Sequence, residues 1–559
     1  MRRSTVLAVT AVLVALATLA PAASAAGPQE PAIQAAIEFG SMAEWERFVA
    51  RGDLDLMKSV PGELAVFVTD ADGLDELRAD GFTPRVLIEN MQEHYARRIR
   101  GDNFGDFFTY SETLDFMDAL HATYPNITTA RDSIGATEEG RGLWVMKISD
   151  NPGVNEDEPE VFLDGLHHAR EPITIHVILH YMEWLCENYG TDPEATFLVD
   201  NREIWVFPIV NPDGYCYNES SYPGGGGMWR KNRRDNAGSS CYGVDPNRNY
   251  PYQWGVVGAS SNPCDDTYRG PSEGSEPEIQ AYMDFVAAHD IVTNISFHSV
   301  VGAVLLPWGY TYDHTPDDAT FRHIADEMAK YNGYDVGQAG ELLYLCAGTT
   351  CDWAYAIHDI WSLCVEVGGS DFWPLESEIP GLCAENLWPQ RYITRIAGLY
   401  VAVDECTVTG GDGDENPEPG EAITLTVTLA NESVAESATN VSVSISTDDP
   451  YVQLTDVDAA IGTIGSLGTG DNSGDPLSFA LDPSTPDGHG LILTLSITAD
   501  GFSAEEELVW LIGSPTPVFS DDMESGTSKW VENDGEWGLT TAQYHSSGNS
   551  YTDSPSGNY

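Results

Sequence analysis

The chain has 559 residues, with 26 Lys+Arg against 88 Asp+Glu and a formal net charge of −62. That length suits about two to four domains, and 42% hydrophobic with 10% aromatic residues argues for packed cores over global disorder. The charge excludes a nucleic-acid or anionic-membrane binder as first reading, because both need basic patches; it fits an exported protein or one from saline surroundings.

Arg2 and Arg3 precede an apolar run from Val6 to Ala20, and Ala23-Ser24-Ala25 supplies a small-residue cleavage pattern. Residues 1–25 therefore read as a secretory signal, and no later stretch is long and apolar enough to span a bilayer. The expected location is secreted, extracellular or periplasmic. Nine cysteines in an oxidising compartment can pair with one left over. Residues 26–100 carry weaker patterning: a helix over Met42–Arg51, a strand over Glu63–Val68 and a short helix over Leu74–Asp80. Arg97, Arg98 and Arg100 then mark an exposed hinge.

From Tyr110 to about Glu405, helical periods alternate with short apolar runs. Helices are expected at Ser111–Tyr124, Ile173–Tyr189, Glu276–His289, Thr320–Tyr331 and Glu385–Val403. Strands are expected at Leu143–Ile148, Glu160–Leu163, Ile204–Val210, Val292–Phe297, Val304–Leu306 and Ser362–Val367. This alternation predicts one large α/β domain. The Ile173–Leu185 stretch is apolar on nearly every side, so that helix should lie sandwiched against the sheet.

After Arg395 the only Lys or Arg is Lys529. Short β-branched runs at Glu421–Leu429, Val441–Ile445, Leu477–Leu481 and Leu491–Ile497 predict an antiparallel sandwich over 406–515. Between Asp412 and Glu421, oxygen ligands at alternate positions would suit Ca²⁺, with an acidic linker the preferred alternative. Residues 516–559 read as the start of an incomplete β-rich module. These β-modules suggest contact with an extracellular polymer or cell envelope.

Chemistry concentrates behind the strand at Glu160–Leu163. His168 and Glu171 stand in an H-x-x-E spacing, and imidazole plus carboxylate suits Zn²⁺, which takes three protein ligands at a catalytic centre. His167 could be chosen as readily as His168. His298 ends a predicted strand and is a candidate third ligand. Around these stand Asn211-Pro212-Asp213-Gly214, Met228-Trp229-Arg230-Lys231, Val244-Asp245-Pro246-Asn247-Arg248-Asn249 and Ser296-Phe297-His298-Ser299, then Tyr344 and, 22 residues on, Glu366.

In order and spacing these blocks resemble the zinc carboxypeptidases of the carboxypeptidase A/T type (metallocarboxypeptidase family M14) in a secreted bacterial-like precursor. The resemblance runs from about Tyr110 to Asp404. It implies a mixed central sheet flanked by helices as a catalytic domain over 101–405, preceded by a small propeptide at 26–100 that covers the cleft until a cut near Arg97–Arg100. It implies one Zn²⁺ on His168, Glu171 and His298. Glu366 would take a proton from the attacking water, and Arg230 would help stabilise the oxyanion. Asn247 and Arg248 would clamp the terminal carboxylate, Tyr344 would close over the substrate, and Arg170 would contact it further away. A Cys241–Cys264 disulfide follows from the same resemblance.

Val300 stands where animal digestive members carry a tyrosine. Cys351 takes the position at the base of the specificity pocket, with Leu343, Cys346 and Cys364 nearby, so an apolar or aromatic C-terminal residue is the expected preference. A carboxylate such as Glu341 could still admit cations. Cys346, Cys351 and Cys364 could form one bridge and one free thiol; Cys186–Cys216 and Cys383–Cys406 are further conceivable pairs. The expected partner is a peptide or protein substrate, and the expected reaction is hydrolysis of its C-terminal peptide bond. Competing readings are a murein-peptide hydrolase on the same fold and an inert surface-binding protein.

Overall fold

The structure, a computed structural model, describes residues 31–53, 55–99, 104–411, 413, 416–513, 538–540 and 550–552. The expected signal at 1–25 and the stretch 100–103 lie outside these residues. The chain forms two compact units, 1–397 and 398–559.

The first unit opens with a four-stranded antiparallel sheet of β1 (Ile33–Glu38), β2 (Asp55–Val60), β3 (Leu64–Thr69) and β4 (Arg85–Ile88), in the order β2-β3-β1-β4. Two helices, Met42–Val49 and Ala71–Ala79, start where Ser41 and Asp70 accept the backbone N–H of Glu44 and Gly73. Their apolar faces close a core around Trp45, Phe48 and Phe67. Each of these rings contributes ~2–3 kcal/mol by burial.

The larger part of this unit is an eight-stranded sheet. In chain order its strands are β5 (Asp132–Ala136), β6 (Gly142–Ile148), β7 (Glu160–Gly165), β8 (Glu203–Phe207), β9 (Ile291–Ser299), β10 (Ala303–Leu306), β11 (Asp335–Gln338) and β12 (Trp361–Val367). Their spatial order is β11-β10-β12-β9-β7-β8-β6-β5. The central strands β12, β9, β7 and β8 are parallel; β6 joins β8, β5 joins β6 and β10 joins β12 antiparallel. All of β7 is buried, as a parallel strand covered on both faces requires. The helix Ile173–Asn188 is buried around most of its circumference, which matches its unbroken apolar pattern.

Some expected elements shift. The strand expected to reach Val210 ends at Phe207, before Pro208, which has no N–H for a ladder. The expected terminal helix over Glu385–Val403 is shorter, Leu387–Ile396, and a separate helix, Ile379–Glu385, precedes it. Asn386 breaks them, its Nδ2 donating to Leu382 O and Tyr334 OH at 2.9 Å each. Val401 already lies in a strand of the second unit.

That second unit is a β-sandwich. One sheet runs β13 (Val401–Thr409), β14 (Ala422–Asn431), β19 (Leu477–Leu481), β16 (Val452–Asp456), with β18 (Thr469–Asp471) also on β14. The other runs β17 (Asp458–Ile464), β15 (Ala438–Ser446), β20 (His489–Ala499), β21 (Phe502–Ile512). Ile423, Leu425, Val427 and Leu429 on β14, and Leu491, Leu493, Leu495 and Ile497 on β20, are buried at every second position. Of the candidate calcium segment, Asp412, Asp414 and Glu415 lie outside the described residues. Beyond 513, only 538–540 and 550–552 are described, as two paired strands.

Candidate metal centre

The parallel strands deliver the chemistry at their carboxyl ends, where open α/β sheets place their ligand sites. β7 stops at Gly165, and Leu166 turns the chain in the left-handed region, at φ 55°. Such a residue costs on the order of 1 kcal/mol and persists only when its surroundings hold it. Leu166 N donates to Thr174 Oγ1 (3.1 Å), and Leu166 O accepts from Asn211 N (3.2 Å). Asn211 caps the helix Pro212–Ser221 by accepting from Gly214 N (2.9 Å) and donates to His167 O (3.0 Å). A side chain at Gly214 would place Cβ 2.3 Å from Lys231 O, so the Asn-Pro-Asp-Gly turn also lets the next segment pass close by.

Beyond this turn His168 and Glu171 meet His298 from the end of β9. His168 Nδ1 lies 2.9 Å from Glu171 Oε1, His298 Nδ1 lies 3.2 Å from Glu171 Oε2, and the two Nδ1 atoms face each other at 3.1 Å. All three residues are buried. Two imidazole nitrogens at that separation cannot both carry a proton, and with a carboxylate beside them they suit a shared cation. Two nitrogens and one carboxylate are the donors a catalytic zinc takes. His167, the competing choice, turns away: its Nε2 contacts Tyr250 OH (2.8 Å) and Thr350 Oγ1 (3.1 Å).

Glu366 on β12 lies in register with His298. Its Oε2 is buried without a hydrogen-bond partner. Burial and the Glu171 charge push its carboxyl above the usual range, against the pull of Arg230 and Arg248. Burial also opposes ionisation of Glu171, yet His168 and His298 hold it well below that range. Asp245 stands behind both groups: Arg230 Nε and Nη2 donate to its Oδ2 at 3.0 and 2.9 Å, and its Oδ1 lies 3.3 Å from His168 Nε2. Burial works against that charge, and Arg230 and His168 keep it well below its ordinary value. Sequence reasoning assigned Asp245 no role, although an Asp before Pro246-Asn247 reads as a cap, and it does accept from Asn247 N (3.0 Å).

A cavity holds His168, Glu171, His298, Glu366, Arg230 and Arg248 in its wall. Arg248 Nη2 donates to Tyr344 OH (3.0 Å). Asn247 Oδ1 takes Thr350 N (2.9 Å) while its Nδ2 lies 3.2 Å from His298 Nε2. One flank is apolar or thiol: Leu305, Ala339, Leu343, Cys346, Cys351 and Cys364. Cys346, Cys351 and Cys364 are all free thiols, as are Cys186, Cys216, Cys383 and Cys406, so none of those conceivable pairs forms. Cys241–Cys264 is bonded. Glu341 is turned to Arg322 and to its own helix start at Gln338. The acid on this flank is Asp352, whose oxygens accept Gly309 N at 2.8 and 3.0 Å and which burial pushes up to about 7.

The N-terminal sheet also lines this cavity, through Leu56 and Met57 of β2. Asp55 pairs with Arg170 and lies 3.6 Å from Arg230. Arg170 is fully buried beneath that contact, stacked 4.4 Å from Phe372. Nothing in the sequence marked Asp55.

The family model described as zinc carboxypeptidase matches residues 113–388. Mouse carboxypeptidase A2 is 33% identical over 335 residues, covering 56% of this chain and 78% of its own length. A protein named zinc carboxypeptidase from Saccharothrix mutabilis subsp. capreolus is 32% identical over 338 residues, covering 53% and 76%. The solved carboxypeptidase A of Helicoverpa armigera superposes with a TM-score of 0.58 at 23% identity, over 66% of this chain and 97% of its own, and agrees in fold. With the His-Glu-His cluster at the strand ends, the chain belongs to the zinc carboxypeptidase family of metallopeptidases.

Proposed function

We propose that the protein is a secreted exopeptidase that removes C-terminal residues, preferring apolar or aromatic ones, and is made as a zymogen. The convergence of His168, Glu171 and His298 beside an unpartnered Glu366 carries this reading. His168, Glu171 and His298 would hold the zinc, which when bound would supply a Lewis acid and lower the pKa of an attacking water to ~7. Glu366 takes the proton from that water and passes it to the leaving amine; a carboxyl raised by burial is suited to both transfers. Arg230, oriented by Asp245, donates to the oxyanion. Arg248, with Asn247, binds the terminal carboxylate through a planar two-donor fork. Tyr344 closes over the substrate.

Cys351 and its apolar neighbours receive the C-terminal side chain, and the backbone hold on Asp352 keeps that flank from favouring cations. Residues 26–100 act as the inhibitory propeptide. The Asp55 carboxylate beside Arg170 and Arg230 supports this, because it competes for cations a substrate needs. Residues 1–25 serve as the export signal.

The test is to assay the purified chain before and after limited trypsin treatment, on blocked dipeptides ending in Phe, Leu, Arg or Glu, with and without 1,10-phenanthroline. Chelator-sensitive release of Phe and Leu, faster after trypsin, is expected; no release of any residue overturns the reading. Glu366→Gln should lower kcat by about 10²–10⁴-fold with zinc content unchanged. Loss of zinc in that variant would reassign Glu366 as a ligand.

A further inference from the structure

His167 precedes His168 in the chain and is fully buried, yet it points away from the metal cluster. Its ring stacks on that of His298, with centroids 5.4 Å apart, and its two nitrogens face different groups. Nδ1 lies 3.4 Å from Asp164 Oδ1. Asp164 is itself held fast. Its Oδ1 accepts from Ser296 Oγ (2.7 Å), and its Oδ2 accepts from Tyr282 OH (2.7 Å) and Asn294 Nδ2 (2.9 Å). A carboxylate beside Nδ1 favours the single proton of a neutral imidazole there and leaves Nε2 as the acceptor. Nε2 faces the hydroxyls of Tyr250 (2.8 Å) and Thr350 (3.1 Å).

Thr350 is the next link. It opens the helix Thr350–His358, whose second residue is Cys351. Its Oγ1 lies between His167 Nε2 and Asn247 Oδ1 (3.2 Å), and its backbone N–H donates to the same Oδ1 (2.9 Å). A backbone N–H can only donate, so Asn247 must turn its carbonyl to Thr350 and its amino group the other way. Asn247 lines the cavity, and its Nδ2 lies 3.2 Å from His298 Nε2. Turned over, the amide would present a carbonyl oxygen to the cavity, and that oxygen would repel a carboxylate.

We propose that His167 and Thr350 are positioning residues for the terminal-carboxylate clamp: anchored by Asp164, the His167 ring aims the Thr350 hydroxyl at Asn247 Oδ1 and so keeps the Asn247 amino group turned to the substrate. This inference rests on the reading of Asn247 as part of that clamp. Both residues act through Asn247. The same link ties the clamp to the apolar flank, because Thr350 and Cys351 are neighbours on one helix.

The experiment uses the full chain after limited trypsin treatment, with zinc content measured in every variant. Two inhibitors probe the clamp, 3-phenylpropanoate and 3-phenylpropanamide, which share a ring and differ in the terminal group. The parent should bind the acid more tightly than the amide. Thr350→Val keeps the shape and removes the hydroxyl; His167→Leu removes the ring nitrogens. Each should lower the preference for acid over amide about fivefold, the worth of one hydrogen bond. Each should also raise KM for a blocked dipeptide ending in Phe by about the same factor, with kcat within about twofold. Thr350→Ser should restore the parent preference. Should His167→Leu lose zinc, Thr350→Val, with its zinc content unchanged, decides alone. A parallel weakening of acid and amide would mean a disturbed pocket and overturns the proposal, as does a Thr350→Ser variant that fails to restore the preference. A parent that binds acid and amide equally would refute Asn247 as a clamp, and the proposal with it. A discriminating parent with an unaltered preference in Thr350→Val would refute the positioning role alone.

Discussion

Six basic residues cluster in or near the cleft segments, and they divide into two groups. Arg170, Arg230 and Arg248 are buried against acids or the cavity wall around the zinc cluster. Lys231, Arg233 and Arg234 follow Arg230 directly in the chain yet do structural work. Lys231 Nζ donates to the carbonyls of Pro263 and Asp265 (2.7 and 2.9 Å). Arg233 lies over the rings of Tyr217 and Trp229 at 3.8 and 4.5 Å, and Arg234 pairs with Glu276 at 3.0 Å. A local count of positive charge therefore overstates the cationic character of the cleft twofold. The partner each side chain meets, not its position in the run, decides its task.

Substitutions can break or sharpen this division. Arg230→Ala should cause the largest change, a loss of about 10²–10³ in kcat measured on a trypsin-treated sample, if it donates to the oxyanion. Unchanged kcat and KM would move Arg230 to the packing group. Asp55→Asn removes the acid that Arg170 and Arg230 share, and should raise the activity of the uncut chain by roughly tenfold, the equivalent of one charged hydrogen bond. Equal activity in the uncut variant and parent would mean that Asp55 does not guard these cations.

Arg233→Ala should leave kcat/KM within about twofold and lower stability by ~1–2 kcal/mol through lost ring contacts, read from denaturant melts. The smallest effect is expected at Lys231, which burial pulls down to about 8 despite its acidic neighbours. Its folded pKa lies below the unfolded value of ~10.4, so the unfolded chain binds more protons between these limits and the folded state gains stability as pH rises through them. The slope is at most ~1.4 kcal/mol per pH unit. Lys231→Met should flatten that part of the stability–pH curve. An unchanged slope would show that Lys231 is not the group responsible.

How much of this was legible in the sequence follows burial. The strands β7, β9 and β12 were found because their apolar runs are covered on both faces. β1, β2, β4, β5 and β11 were missed: β2 reads Asp-Leu-Met-Lys-Ser-Val, with no strict alternation, β5 is an edge strand without a buried residue, and β11 is an edge strand of four residues, Asp-Val-Gly-Gln, with no apolar run. The zinc cluster was legible through motif spacing, but the choice of His168 over His167 depends on the Leu166 turn, which no pattern announces. The free thiols show the reverse failure. Spacing permits pairs such as Cys186–Cys216 that the fold leaves unbonded.

Residues 31–96 touch the rest of their unit at widely separated points. Asp55 meets Arg170, Ser59 Oγ donates to Leu343 O (2.8 Å), Gly52 O accepts from Thr267 Oγ1 (3.0 Å), and Tyr95 OH donates to Asp371. On the proposed zymogen reading, a cut near Arg97–Arg100 would sever none of these contacts. It converts an occupant held at an effective concentration on the order of millimolar into a separate ligand that must dissociate and dilute. Activation would then show two clocks, one set by the protease and one by the departure rate of the excised sheet. The second should slow as total protein concentration rises.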